Sequence, residues 1–237
     1  MLRTKRTVVA LTLAAAAGVG PALVVVGPGV AGATSTSQIQ SELQKLEGNI
    51  KNTSHLKYKA TYTFTGSGKT QTITVEQAPP RSAFKTGQAD IIDTGTKTYY
   101  CSMQASHNVC FSESGANLLG GLTTLFSPTT IAQAMKTYGA ELGSRLSGFT
   151  VSTSSGKFAG QSATCVSAVS KATSGKYCIL SNGVTAYVGG SGTHGSTTSS
   201  GQIKLTAFSS NPPSSDFSLP AGATVENLGG STPGAPG

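Results

Sequence analysis

The chain has 237 residues, 17 basic and 9 acidic, and only 11% of them are charged, where ordinary soluble domains carry about a quarter. Its basic residues are scattered and no recognised nucleic-acid motif is present, which excludes a nucleic-acid partner as the reading of the net positive charge. The surplus suits anionic lipid headgroups or cell-wall polymers, and plain solubility equally. Abundant Thr, Ser and Gly lean the composition toward strands and turns.

In chain order, Arg3, Lys5 and Arg6 precede an apolar run from Val8 to Val26, and Ala31-Gly32-Ala33 follows. That order predicts a secretory signal peptide over residues 1–33, with an uncleaved membrane anchor as the alternative because the run is long. Gly18, Gly20, Pro21, Gly27, Pro28 and Gly29 interrupt a single spanning helix, and no cysteine is present there to take a lipid. Residues 34–228 are expected to form one β-rich domain, and the Gly/Pro/Ser stretch 229–237 a disordered tail. The location expected is extracytoplasmic, secreted or membrane-associated through the N-terminal segment.

Ile39, Leu43, Leu46 and Ile50 draw one stripe on a short amphipathic helix. Leu56, Tyr58, Ala60, Tyr62 and Phe64 then alternate with polar residues, Gly66-Ser67-Gly68 turns the chain, and Thr70 to Val75 alternate again. This predicts an antiparallel hairpin with one apolar and one Thr-rich face, stopped at Pro79-Pro80. Ala89–Thr94 and Lys97–Cys101 read as strands around Asp93-Thr94-Gly95, followed by Val109–Ser112. Between Ala116 and Leu146 the pattern turns helical, with Leu118, Leu122, Leu125 and Phe126 on one face, Leu119 beside them, and a second helix from Ser127-Pro128 through Ile131, Met135 and Tyr138. Strands return at Phe149–Thr153, Ser162–Val169, Lys176–Leu180, Thr185–Val188 and Gln202–Phe208, with Asn182-Gly183 as a hairpin turn and Gly189–Gly201 as a flexible loop.

The four cysteines, Cys101, Cys110, Cys165 and Cys178, all lie past the leader, and an even number in an exported chain predicts two disulfides. Three pairings are open; the local ones, Cys101 with Cys110 and Cys165 with Cys178, are favoured because each pair flanks a turn-like stretch. Zinc is not expected, since there is no Cys-x-x-Cys and His55, His107 and His194 lack ligand spacing. No cofactor is expected either.

Catalytic motifs are absent as well. Gly66-Ser67-Gly68-Lys69-Thr70 resembles the end of a phosphate-binding loop, but Thr63 stands where its first glycine belongs. Gly189-Gly190-Ser191-Gly192 ends in Thr193 where a nucleophile elbow requires glycine. Asp90 and Asp93 flank a turn, which is ordinary Asp chemistry rather than a glycosidase pair. The expectation is a non-enzymatic protein, with an exported hydrolase as the remote alternative.

The layout of leader, helix, hairpins, apolar helical insert, further hairpins and the ending Asp216-Phe217-Ser218-Leu219-Pro220, with Tyr177-Cys178-Ile179 at a paired cysteine, resembles the LolA-like lipoprotein-carrier fold of actinobacterial LppX- and LprG-type proteins. The resemblance implies an α+β fold: a strongly curved antiparallel half barrel with helices on its concave face and acyl chains between them. It implies a pocket lined by Tyr58, Tyr62, Phe64, Ile73 and Val75 from the sheet and by Leu118, Leu119, Leu122, Leu125, Phe126, Ile131 and Met135 from the insert. The partner implied is a lipid or other hydrophobic small molecule, with a membrane surface or another envelope protein as alternatives.

Overall fold

The computed structural model describes residues 52–66, 68–103, 108–113, 150–194 and 197–227, together with Ser41, Gln44 and Gly48, which are helical. The described residues build one twelve-stranded sheet: β1 Tyr58–Gly66, β2 Lys69–Ala78, β3 Arg81–Thr86, β4 Ala89–Asp93, β5 Thr98–Met103, β6 Asn108–Glu113, β7 Thr150–Phe158, β8 Gln161–Val169, β9 Thr173–Leu180, β10 Thr185–His194, β11 Thr197–Ser209 and β12 Thr224–Asn227. The strand order is β12-β6-β5-β4-β3-β2-β1-β11-β10-β9-β8-β7. Two meanders, β1 to β6 and β7 to β11, are therefore joined by the antiparallel pairing of β1 with β11, and β12 adds a parallel edge to β6.

Turn chemistry sets the registers. Gly66 pairs with Lys69 across Ser67-Gly68, with Gly68 in the left-handed region at φ 72°. Asp93 Oδ1 accepts from the Gly95 amide at 2.8 Å, and Gly95 sits at φ 86°. Asn182 Oδ1 accepts from the Val184 amide at 3.1 Å. Alternation along β1 and its registered pairs define two faces. Tyr58, Ala60, Tyr62 and Phe64 point to face A with Val75 and Ile73, and Lys59, Thr61, Thr63 and Thr65 point to face B with Glu76, Thr74, Thr72 and Thr70.

The expected α+β architecture is corrected here. The described residues are nearly all strand, the helical ones being Ser41, Gln44 and Gly48 and two 3₁₀ turns, Asn52–His55 and Ser214–Phe217, so helices on a concave face are not part of the fold they define. The predicted insert 116–146 lies outside the described residues. Pro79-Pro80 ends β2 but starts another strand: a cis turn leads straight into β3. In the Gly189–Gly201 stretch, expected as a loop, residues 189–194 and 197–201 are paired arms of β10 and β11, with Gly190 opposite Gly201 and Ser191 opposite Ser200. Polar composition hid the outer arms of two predicted strands, whose backbone ladder is satisfied by each other.

Two buried clusters hold the sheet. On face B, Ala78, Ala83, Ile92, Cys101 and Cys110 pack beneath Phe217 of the C-terminal strap, the segment 210–223 that carries the chain from β11 to β12. The larger cluster gathers Tyr58, Ala60, Tyr62, Ile73 and Leu205 with Ala163, Cys165, Cys178, Leu180, Val184 and Ala186. Tyr62, 2% exposed, reaches past β11 to donate to the Thr185 carbonyl at 3.0 Å, and Tyr177 meets the Thr185 hydroxyl at 3.0 Å. Tyr62 and Tyr177 thus meet at Thr185 from face A, whereas Ala163, Cys165, Cys178 and Leu180 of the same cluster lie on face B by register.

Both disulfides take the local pairing, Cys101–Cys110 and Cys165–Cys178. In each, the cysteines are directly opposed across adjacent strands at Cα–Cα 4.0 Å, the close spacing of a non-hydrogen-bonded pair. All four are fully buried. Replacing Cys165 and Cys178 together by Ala is expected to lower stability by about 2–3 kcal/mol, from the entropy restored to the unfolded chain; urea unfolding of the oxidised parent and the variant measures it.

Candidate ligand-binding face

Register lines up one row of face A across seven strands. Phe208 of β11 opposes Ala60, Ala60 opposes Val75, and the row continues through Phe84, Ile91, Tyr100 and Phe111. At the usual spacing between strands it is roughly 29 Å long, and every position is apolar or aromatic. Ile91 and Ala60 are buried, Val75, Phe84, Phe111 and Phe208 are half-buried, and Tyr100 is 38% exposed. Tyr58 stacks on Phe208 at 6.4 Å between ring centroids, beside the start of the row.

The five sheet residues expected to line a pocket, Tyr58, Tyr62, Phe64, Ile73 and Val75, share face A, with Tyr62 directly opposite Ile73. Tyr58, Tyr62 and Ile73 are packed in the core, whereas Phe64 and Val75 are partly open. Burial pushes the Tyr58 phenol up to about 12 and raises Tyr62 and Tyr177 further, so these hydroxyls act as neutral hydrogen-bonding groups. Leu118, Leu119, Leu122, Leu125, Phe126, Ile131 and Met135 lie outside the described residues. Sequence reasoning missed Phe84, Ile91, Tyr100, Phe111 and Phe208; each sits at an alternating strand position, but only cross-strand register reveals that they align.

Face B holds the opposite chemistry. Glu76, with no side-chain exposure, is paired by Lys59 at 2.8 Å and by Lys85 at 2.9 Å, and Lys59 also reaches Asp216 of the strap at 2.8 Å. The Glu76 contacts are ion pairs by distance, off the angles of a hydrogen bond. Arg81 lies 4.8 Å above the Phe217 ring and adds a cation–π contact to the same strap. Burial raises Asp90, opposed in part by the charge of Lys85. Burial is the largest single influence on Asp216 and acts to raise it, but its hydrogen bonding with Lys59 and Glu76 and the charges of Lys59 and Lys85 together outweigh that and hold it below the usual carboxylate value. This cluster fastens the strap, and with it β12, over face B of β2 to β6.

No protein-family model matches the chain, and comparison with curated proteins gives no match. Among solved structures the chain is similar to MucB, at 9% identity and TM-score 0.46 over 77% of this chain and 64% of that one. It is similar to the MucA/MucB complex of Pseudomonas aeruginosa, at 9% and 0.45 over 80% and 63%, and to an uncharacterised conserved protein of Thermus thermophilus, at 10% and 0.42 over 80% and 98%. The chain thus spans less than two thirds of the MucB chains. These are likenesses of general outline, too distant to assign a family or an activity, and the LppX and LprG kinship is carried by none of the three.

The charges give a pH dependence of known sign. Because the folded value of Asp216 is depressed, its contribution is present above the ordinary carboxylate range and is lost as pH falls through the folded value. Asp90, raised in the fold, acts oppositely: its ionisation opposes folding at neutral pH, and acid relieves it. Asp216→Asn is expected to cost up to about 1 kcal/mol at neutral pH, with the difference from the parent shrinking as pH falls below the ordinary carboxylate range. Asp90→Asn is expected to be neutral or stabilising at pH 7. Urea titrations at neutral and acid pH check both signs.

Proposed function

We propose that this chain is an exported, non-enzymatic protein that holds a lipid or another hydrophobic molecule against face A of its sheet. The observation that carries the proposal is the apolar row from Phe208 to Phe111. Its members are aligned by register, its length is that of an extended long acyl chain, and Tyr100 and its half-buried neighbours have apolar surface still to cover. Each methylene that leaves water along such a row gains about 0.8 kcal/mol. Polar groups that would perform chemistry on a bound chain do not line the row, and the buried phenols near it are neutral.

An extracytoplasmic location is supported by the two disulfides and by the signal-like order of the first 33 residues. An envelope protein laying its own apolar surface on face A is the competing occupant. MucB forms a complex with MucA in one of the similar structures; for this chain a protein partner is the second reading, and recovery of a protein with no lipid would favour it.

Native mass spectrometry of protein purified from its own host is expected to show a bound acyl species. Tyr100→Lys, at the exposed middle of the row, is expected to weaken uptake of a fluorescent fatty acid at least about tenfold while leaving the unfolding midpoint nearly unchanged. Protein that is always empty and takes up no lipid would sink the proposal.

A further inference from the structure

Beyond the strap, face B buries Cys165 and Cys178 at one end and, over β9 to β11, carries an exposed polar arrangement separate from the apolar row. From residue 150 to 215 the sequence contains Lys157, Lys171, Lys176 and Lys204 and not one Asp or Glu. Register brings two of these lysines onto face B. One row runs from Cys178 through Tyr187, Lys204 and Thr63 to Thr72, and the next from Lys176 through Gly189 to Gln202. Lys176, Gln202, Lys204 and Thr72 are exposed, and among the described residues neither lysine is paired with a carboxylate. From strand spacing and rise their Cα atoms lie roughly 12 Å apart.

Between the lysines lies an aromatic ring set flat on the sheet. A Cβ at Gly189 would fall 2.6 Å from Cζ and 2.8 Å from Cε1 of Tyr187, so the phenol lies over the glycine backbone, where no other residue admits it. The ring is fixed at both ends: its hydroxyl donates to Gln202 Oε1 at 3.1 Å, and its side rests on Phe158 at 6.0 Å between centroids. A flat, half-exposed ring, two unpaired ammonium groups and a rank of hydroxyl and amide groups are together what a sugar chain bearing carboxylates requires. The ring stacks on the C–H face of a pyranose, the amide and hydroxyls meet its hydroxyls, and the lysines neutralise its charge.

We propose that this part of face B, centred on Tyr187, Lys176, Lys204 and Gln202, docks an anionic polysaccharide. A headgroup-covered bilayer is the less fitting occupant, because the ring lies flat over Gly189 and is tied to Gln202, so it does not project as an anchor into a membrane. The site is on the face opposite the apolar row, so the two proposals fail separately.

Full-chain protein should be passed at low ionic strength over immobilised polygalacturonate, with dextran as the neutral polymer and phosphatidylglycerol vesicles as the lipid surface. Retention on polygalacturonate alone, weakened at least about tenfold in Lys176→Glu/Lys204→Glu, supports the proposal. Tyr187→Leu keeps the charge and removes the stacking face, and about a threefold or greater loss is expected. Unaltered circular dichroism establishes that the variants are folded; both lysines are exposed, and should Tyr187→Leu unfold, Tyr187→Phe must still bind. The proposal is overturned by no retention, by equal retention on dextran, by vesicle binding without polygalacturonate binding, or by retention that ignores the lysine or Tyr187 substitutions. Tyr100→Lys should leave this binding unchanged.

Discussion

The pairing of β1 with β11 is the constraint on which the rest of the structure depends. Without it there are two meanders, of six and five strands, each with an open edge. With it, eight registered pairs join positions some 140 residues apart, and the apolar alternation of β1 continues into Phe208, Leu205 and Ile203. A bulge between Thr61 and Tyr62 absorbs Thr206, whose hydroxyl returns to the Thr61 carbonyl at 3.0 Å, so Tyr62 still opposes Leu205 on the buried side. So distant a closure makes folding slow relative to the local hairpins. The two disulfides each tie one local hairpin, β5 to β6 and β8 to β9.

From that junction follows a division of labour between faces. On one side, backbone register converts scattered apolar residues into a single row. On the other, the same register places Lys59 against Glu76 and Thr63 against Thr72, giving a buried charge cluster at one end and an open polar field at the other. A carboxylate as buried as Glu76 is tolerable only because two lysines reach it, and one of those lysines also grips the strap. The strap in turn brings β12 to cover the edge of β6, which would otherwise present an unpaired strand.

Much of this was legible in the sequence where one face is apolar and the other polar. The β1–β2 hairpin, its Gly-Ser-Gly turn, the Asn182-Gly183 turn and both disulfides could be read directly, because alternation and turn residues report local geometry. Strand β3 could not: in Arg81–Thr86 the apolar Ala83 and Phe84 are adjacent and pack on opposite faces, which erases the period-two signal. The outer arms of β10 and β11 read as a loop because Gly, Ser and Thr carry no hydrophobic period, yet their ladder needs only backbone groups. The α+β architecture with helices on a concave face failed for a different reason: it came from a resemblance of layout, and the described residues pair strand with strand, while the insert 116–146 lies outside them. Of the functional face, the β1 and β2 members were readable, while Phe84, Tyr100 and Phe111 became part of it only through long-range register.

The central claim is that a hydrophobic ligand lies along the row from Phe208 to Phe111. Photo-crosslinking with a diazirine-bearing fatty acid, followed by peptide mapping, tests it most directly. The account predicts adducts at Phe84, Tyr100 and Phe111 and none at the face-B residues Thr63, Thr72 or Lys204. Adducts confined to face B, or spread evenly over both faces, would contradict it.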